Sequence, residues 1–258
     1  MVCKGAFLLV GFFPAVLLAQ SIGGPRTFPQ FRDMSGLSGN GFPVQRDGMI
    51  GIRGAMTLST PIAYTLKHGQ FVFGGASRSF DRNFRWVNTE FAANNQKSDG
   101  TGQLVGAVET PWGDVTLSHL IMSPAGDSVQ NLQFSFANNW QGVTWSFGIH
   151  NATERGQAAG DNLPIDDAKE SRSFFIVGTK ELPENSYFSA GIGTTRYRGP
   201  FGSYSRMVGD RSRLYVEYDT FNWNYGIGTE FRIGSKKAFI TAGFVRGDLA
   251  TWTLNFVL

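Results

Sequence analysis

Residues 211–232 read RSRLYVEYDTFNWNYGIGTEFR, and they alternate almost without a break. Leu214, Val216 and Tyr218 lie opposite Arg211, Arg213, Glu217 and Asp219. Beyond a turn near residue 220, Trp223, Tyr225, Ile227 and Phe231 lie opposite Asn222, Asn224, Gly226, Gly228, Glu230 and Arg232. A period of two is the signature of a strand with one apolar and one polar face, and two such runs joined by a short turn form an antiparallel pair.

The pattern extends in both directions. Residues 238–244 place Ala238, Ile240, Ala242 and Phe244 on one side, and the last run opposes Trp252, Leu254, Phe256 and Leu258 to Thr251, Thr253 and Asn255. Upstream, 131–137, 143–150 and 187–195 alternate in the same way. Further strands are expected at 48–58, 70–79, 85–93, 102–109, 114–122 and 171–180, so the chain carries about a dozen. Segments 151–170 and 196–210 read as long connectors, the first acidic through Glu154, Asp161, Asp166, Asp167 and Glu170. Almost no stretch has a helical period.

Composition narrows the class. The chain has 258 residues, 33 Gly, 23 Phe and 17% charged residues. That charge content is below the ~25% of ordinary soluble domains. The abundance of aromatics excludes a disordered chain, because they require burial. The formal net charge is only +3 and the basic residues are scattered, so no nucleic-acid partner is expected.

Alternation with one apolar face suits either a soluble sandwich, whose apolar face is the core, or a membrane barrel, whose apolar face meets lipid. The polar faces here carry Gly, Ser, Thr and Asn with few charges, which suits a curved barrel interior. Trp145, Trp223, Tyr225 and Trp252 sit near strand ends, where an interfacial aromatic girdle belongs. The fold expected is therefore all-β: an antiparallel transmembrane β-barrel of about 10–14 strands.

Lys4 precedes an apolar run from Gly5 to Ala19 with the layout of a secretory signal, expected to be cleaved after Ala19. Residues 20–46 are irregular and rich in Gly, Pro and Ser, and the barrel domain is expected over 47–258. Cys3 is the sole cysteine and lies within the signal, so the mature chain has no disulfide or thiolate chemistry.

Thr60-Pro61-Ile62-Ala63, followed by Gly69-Gln70-Phe71-Val72-Phe73-Gly74-Gly75, resembles the YjbH-type outer-membrane family. Gly36-Leu37-Ser38-Gly39 is similar to that family's Gly-Leu-rich opening. Downstream, Lys180 with Gly191-Ile192-Gly193, then Arg198-Gly199-Pro200-Phe201-Gly202, then Glu217-Tyr218-Asp219, resemble its repeating barrel unit. Ile62 stands where the family carries a second Thr, and the chain is shorter than the family's larger members. The resemblance implies an outer-membrane barrel tied to exopolysaccharide production, with Thr60, Pro61, Ala63 and Gly69 as motif positions.

No catalytic constellation emerges. His68, His119 and His150 do not pair at metal-ligand spacing, and neither a nucleophile elbow nor a phosphate loop is present. His119 shares the face of Val115, Leu117 and Ile121; His150 reads as a solvated residue at a strand end. No metal and no cofactor is expected. Arg213, Glu217, Asp219, Glu230 and Arg232 are candidate lumen-facing polar groups. Charges at membrane depth demand pairing or water, so they form an ion network or a polar constriction. Tyr187 and Tyr215 are candidate lumen aromatics.

The expectation is thus a non-enzymatic outer-membrane barrel in exopolysaccharide export or cell-envelope assembly. Its partners would be the lipid bilayer, a polysaccharide, and the barrel-assembly machinery through residues 249–258. Three alternatives remain open: a small general porin, a soluble periplasmic β-sandwich that binds a partner, and a barrel enzyme acting on lipid through His150.

Overall fold

The computed structural model describes residues 34–79, 84, 100–121, 128–136, 140–153, 172–197, 199–220 and 222–258. The expected signal peptide, the strand expected at 85–93 and the acidic stretch from Glu154 to Glu170 lie outside these residues. Among the described residues, twelve strands form one closed antiparallel barrel. They are β1 (Phe71–Arg78), β2 (Thr101–Thr110), β3 (Gly113–Ile121), β4 (Ser128–Ser135), β5 (Val143–His150), β6 (Ser173–Leu182), β7 (Ser186–Gly193), β8 (Gly199–Met207), β9 (Ser212–Tyr218), β10 (Trp223–Ile233), β11 (Lys236–Val245) and β12 (Leu249–Val257). Each strand pairs with its sequence neighbours. The barrel closes where β1 meets β12, from Val72 opposite Val257 to Arg78 opposite Thr251. Closure leaves no strand edge unpaired, which is what a wall in lipid requires. It also removes the sandwich alternative.

Alternation sorts the side chains as the pleat dictates. On β10, Tyr225 and Ile227 point outward and are exposed, whereas Asn224 and Gly228 are buried inward. The same holds around the wall: Phe73, Leu104, Leu117, Phe147, Ile176, Phe188, Leu214 and Ile240 are exposed outward, while Gln103, Thr116, Asn131, Gln133, Thr179, Thr241 and Asn255 are buried inward. An apolar belt of this extent on a protein surface is a contact surface for lipid. Trp112 and Trp140, 77% and 66% exposed, sit on turns at one rim; Trp223 and Trp252 lie towards the other.

Inside, several large rings lie against glycines directly across the ladder. Phe175 faces Gly148, Phe201 faces Gly191 and Tyr215 faces Gly226. A Cβ at Gly226 would sit 2.7 Å from the Tyr215 hydroxyl, and one at Gly148 or Gly191 would overlap the facing ring. The glycines are the space the rings fill, and they let the wall curve.

Two sequence expectations need correction. The connector expected at 196–210 contains a wall strand, β8: Phe201, Ser203 and Ser205 point inward, and Gly202 and Tyr204 outward. Small residues on both faces dilute its period. Conversely, the strand expected at 48–58 is not part of the wall. It makes only isolated bridges, Val44 with Ile50 and with Ala55, and Asn40 with Thr57. The barrel wall starts at Phe71, not at 47.

Residues 34–66 instead fill the lumen. Met34, Leu37, Phe42, Val44, Ile50, Met56, Leu58, Ile62, Tyr64 and Leu66 are all essentially inaccessible. Alternation usually reports one apolar side, whereas this segment is enclosed by the wall and by its own other passes everywhere except at Arg46, Asp47, Met49 and Arg53. The segment crosses the lumen three times. It starts near the β5–β6 and β7–β8 connections, where Ser35 meets Asn131 and Arg196. It reverses at Arg46–Met49 beside the β6–β7 turn, and again at Ser59–Thr60 near the β9–β10 connection. It then returns to Gln70 and enters β1. Gly54 lies so close to the Val44 backbone that no side chain fits there. The plug and the inward wall share one core, in which Phe42, Val44, Ile50, Ile62, Tyr64 and Leu66 pack with Val72, Val105, Ala107, Tyr187 and Phe239.

Candidate functional site

Strand β9 carries two opposite charges inward at positions 213 and 217, each fully buried. A buried charge is costly unless its hydrogen-bonding capacity is met. Here the plug backbone meets much of it. Glu217 accepts from the backbone N–H groups of Leu58 (3.1 Å), Ser59 (2.9 Å) and Thr60 (3.1 Å). It also accepts from the hydroxyls of Ser59 (2.8 Å) and Thr60 (2.9 Å). Asn224 on β10 donates to Glu217 at 2.9 Å and to Asp219 at 3.1 Å, tying the two carboxylates together.

Arg213 does the reverse. Its Nε donates to the Ile52 carbonyl at 2.9 Å, and one terminal nitrogen donates to Arg53 and Asn185 carbonyls at 3.1 and 2.8 Å. Its guanidinium lies over the Tyr187 ring, 5.1 Å from the centroid. One strand thus grips one plug pass at two heights, taking carbonyls near the β8–β9 turn and amides near the β9–β10 connection. Among the described residues, Arg213 and Glu217 are each met by plug and turn backbone rather than by one another.

The remaining wall anchors are neutral or near the rim. Asn255 and Gln103 donate to the carbonyls of Gly41 (3.0 Å) and Asn40 (3.3 Å), and Gln133 donates to Ile62. Thr179 and Thr116 accept from Ala63 and Leu66 at 2.7 and 2.9 Å. Glu230 accepts from the Ile52 N–H at 3.0 Å, and Lys237 donates to the Ile50 carbonyl at 3.0 Å.

The structure therefore brings Arg213, Glu217, Asp219 and Glu230 to the inside of the barrel, the first three deeply buried. Arg232 lies at the exposed end of β10, opposite Lys237. Thr60 meets Glu217 directly, Pro61 and Ala63 are buried beside it in the plug, and Ala63 accepts from Ser135. Gly69 is exposed where the plug leaves the lumen, at a φ of +83° that favours glycine.

Tyr187 and Tyr215 are buried inward, as expected. His150 is not a solvated residue: it is fully buried, edge-on to Tyr197 at 6.0 Å. His119 faces outward and meets Gln130 at 3.0 Å. What the sequence reading missed is the other half of the site, the plug, together with the amide side chains that hold it. The only signal for those amides was Asn and Gln recurring on the polar faces of strands.

These features define a class: a membrane-facing β-barrel whose lumen is filled by the segment preceding its first strand. No known sequence family matches the chain, and no curated protein does. Among solved structures, it is similar to the KdgM porin in complex with disordered oligogalacturonate, at 7% identity and a TM-score of 0.46, over 73% of this chain and 97% of that one. It is similar to an outer membrane channel from Pseudomonas putida F1 at 10% identity and a TM-score of 0.39, over 75% and 96%. A mutant porin of Rh. blastica shares 11% identity at a TM-score of 0.33, over 66% and 57%.

Proposed function

We propose that the protein is an outer-membrane barrel, closed by its own N-terminal segment, that serves exopolysaccharide export or cell-envelope assembly without catalysing a reaction. The observation that carries this reading is the occupied lumen, with Glu217 and Arg213 bonded to plug backbone. A general diffusion pore keeps its lumen open to water, whereas this lumen is filled to the centre. The apolar outer belt supports the bilayer as a partner. The YjbH-like motif at Thr60–Ala63 supports the link to polysaccharide, and it falls on the plug reversal that Glu217 holds.

The connections at 111–112, 136–142, 183–185, 208–211 and 234–235 share one end with both Phe71 and Val257. The opposite end carries the connections 79–100 and 151–172, the two longest. Short turns face the periplasm in bacterial barrels, so we orient the long connections outward. In this reading the signal is removed after Ala19, and the last strand, within residues 249–258, engages the assembly machinery.

Two measurements test the proposal. Full-length protein in planar bilayers is expected to hold a closed baseline. Cells lacking it are expected to release less polysaccharide, and unchanged release overturns the reading. A steady open-pore current in the full-length protein, with no preference among glycans, would support the small-porin reading instead. That reading has one observation in its favour: the wall closes through β1 and β12 without help from the plug.

A further inference from the structure

We propose that the Glu217 site is a binding subsite for an uncharged saccharide, and that the plug's Ser59–Thr60 step occupies it in place of a sugar diol when the lumen is closed. This rests on the polysaccharide reading above and names the chemistry of the ligand at that same site.

The geometry is that of a sugar subsite with an internal occupant. One carboxylate receives two hydroxyls from adjacent residues, Ser59 at 2.8 Å and Thr60 at 2.9 Å. Neighbouring hydroxyls on a sugar ring present the same pair of donors to a carboxylate. The Asn224 amide stands beside the carboxylate and also lies 3.3 Å from the Ser59 hydroxyl. An amide that serves both a carboxylate and a hydroxyl is a second polar partner for a sugar. The Tyr197 hydroxyl donates to the Ser59 carbonyl at 3.3 Å, and its ring packs against Phe175 and Phe201.

Charge sets the ligand class. Glu217 takes only hydrogen-bond donors at this step, and Asn224 also donates to Asp219; the Arg196 guanidinium reaches the carbonyl side of Ser59 through the Ser35 hydroxyl. A uronate or other anionic sugar would meet like charge at close range, whereas a neutral sugar would supply the hydroxyl donors now given by the plug. The occupant is also exchangeable in principle. The wall is complete without the plug, which joins it covalently only through the Gly69–Gln70 exit into β1. Plug and saccharide would then compete for one carboxylate, and glycan arrival would be coupled to plug release.

The test uses the full chain in detergent, with folding checked by the gel shift on heating. Maltohexaose is the neutral probe and hexagalacturonate the anionic one, both titrated calorimetrically. Removing the plug's hydroxyls in a Ser59→Ala/Thr60→Ala variant is expected to tighten maltohexaose binding about tenfold, the factor set by ~1.4 kcal/mol of lost competition. Hexagalacturonate binding should not change. Adding Glu217→Gln should abolish the gain.

The proposal is overturned if the folded variant shows no gain, if the gain survives Glu217→Gln, or if the anionic sugar gains equally. Should the double variant fail to fold, Thr60→Val, which removes one hydroxyl at nearly constant shape, gives the same comparison. These in vitro outcomes are independent of polysaccharide release by cells, so failure of the subsite and failure of the export reading are distinguishable.

Discussion

Thr60 gives Glu217 both its backbone N–H, at 3.1 Å, and its hydroxyl, at 2.9 Å, across 157 residues of sequence. With the Leu58 and Ser59 donors, this one carboxylate organises the inner reversal of the plug. Glu217→Ala would leave those amides buried without their acceptor, at about 1–3 kcal/mol for each group that stays dry. The plug is therefore expected to loosen while the wall persists. Limited proteolysis should cut between residues 54 and 66 in the variant and spare the wild type, with the heat-shift gel still reporting a barrel. Equal protection of both would show that Glu217 does not hold the plug.

Arg213 holds the same pass by its carbonyls, so its effect should not add to that of Glu217. Arg213→Met strands the Ile52, Arg53 and Asn185 carbonyls. Once either anchor has freed the plug, losing the second costs little, as is usual for groups acting as one unit. The double variant is expected to unfold near the midpoint of the weaker single variant. A midpoint lowered by the sum of both would mean that the two anchors act independently.

The lumen glycines opposite aromatic rings make a prediction about the wall itself. Gly148→Val and Gly191→Val place branched side chains where the Phe175 and Phe201 rings lie. Overpacking of this kind costs about 1–3 kcal/mol or more. Both variants should fold in lower yield, read as the fraction of heat-shifting protein after refolding. Gly142→Ala is the control, because nothing lies within 4 Å of its added carbon; its positive φ adds only local strain at a turn.

Depth in the bilayer should be readable from outward positions on one strand. Ile227 points outward in the middle of β10, and Ile233 ends the same strand at the short-turn rim. Arg at the midplane costs about 2–4 kcal/mol and near the interface about 0–1. Ile227→Arg is expected to lower stability in lipid vesicles clearly more than Ile233→Arg. Equal losses would place β10 differently in the membrane.

Much of the wall was legible because a strand between lipid and a packed lumen repeats every two residues. Eleven of the twelve strands coincide with alternating runs, from 70–79 to the C-terminus. The exception, β8, shows why periodicity can fail: Gly202 faces lipid and Ser203 and Ser205 face the lumen, so hydropathy barely changes from one face to the other. The error at 48–58 has the opposite cause. Ile50, Ile52, Met56 and Leu58 look like a strand's apolar positions, but they are buried on all sides among other passes of the chain.

Of the candidate site, Arg213, Glu217, Asp219 and Glu230 could be placed inside the barrel from β9 and β10 alone, since the pleat assigns them a face. Their partners could not. Nothing in the local pattern ties Ser59 or Thr60 to Glu217, and His150 reads as a solvated residue at a strand end. Local sequence carries no record of which distant backbone amide will approach a carboxylate.

The amino-acid order by itself thus determined an antiparallel wall with an apolar exterior and a polar interior, because side-chain direction follows from the two-residue pleat. Only the tertiary structure decided that the interior is occupied, and by what. That outcome depends on closing twelve strands into a lumen of one size and threading residues 34–66 back through it. Buried charges on β9 then find backbone partners more than 150 residues away, because a dry lumen leaves them no water to bind.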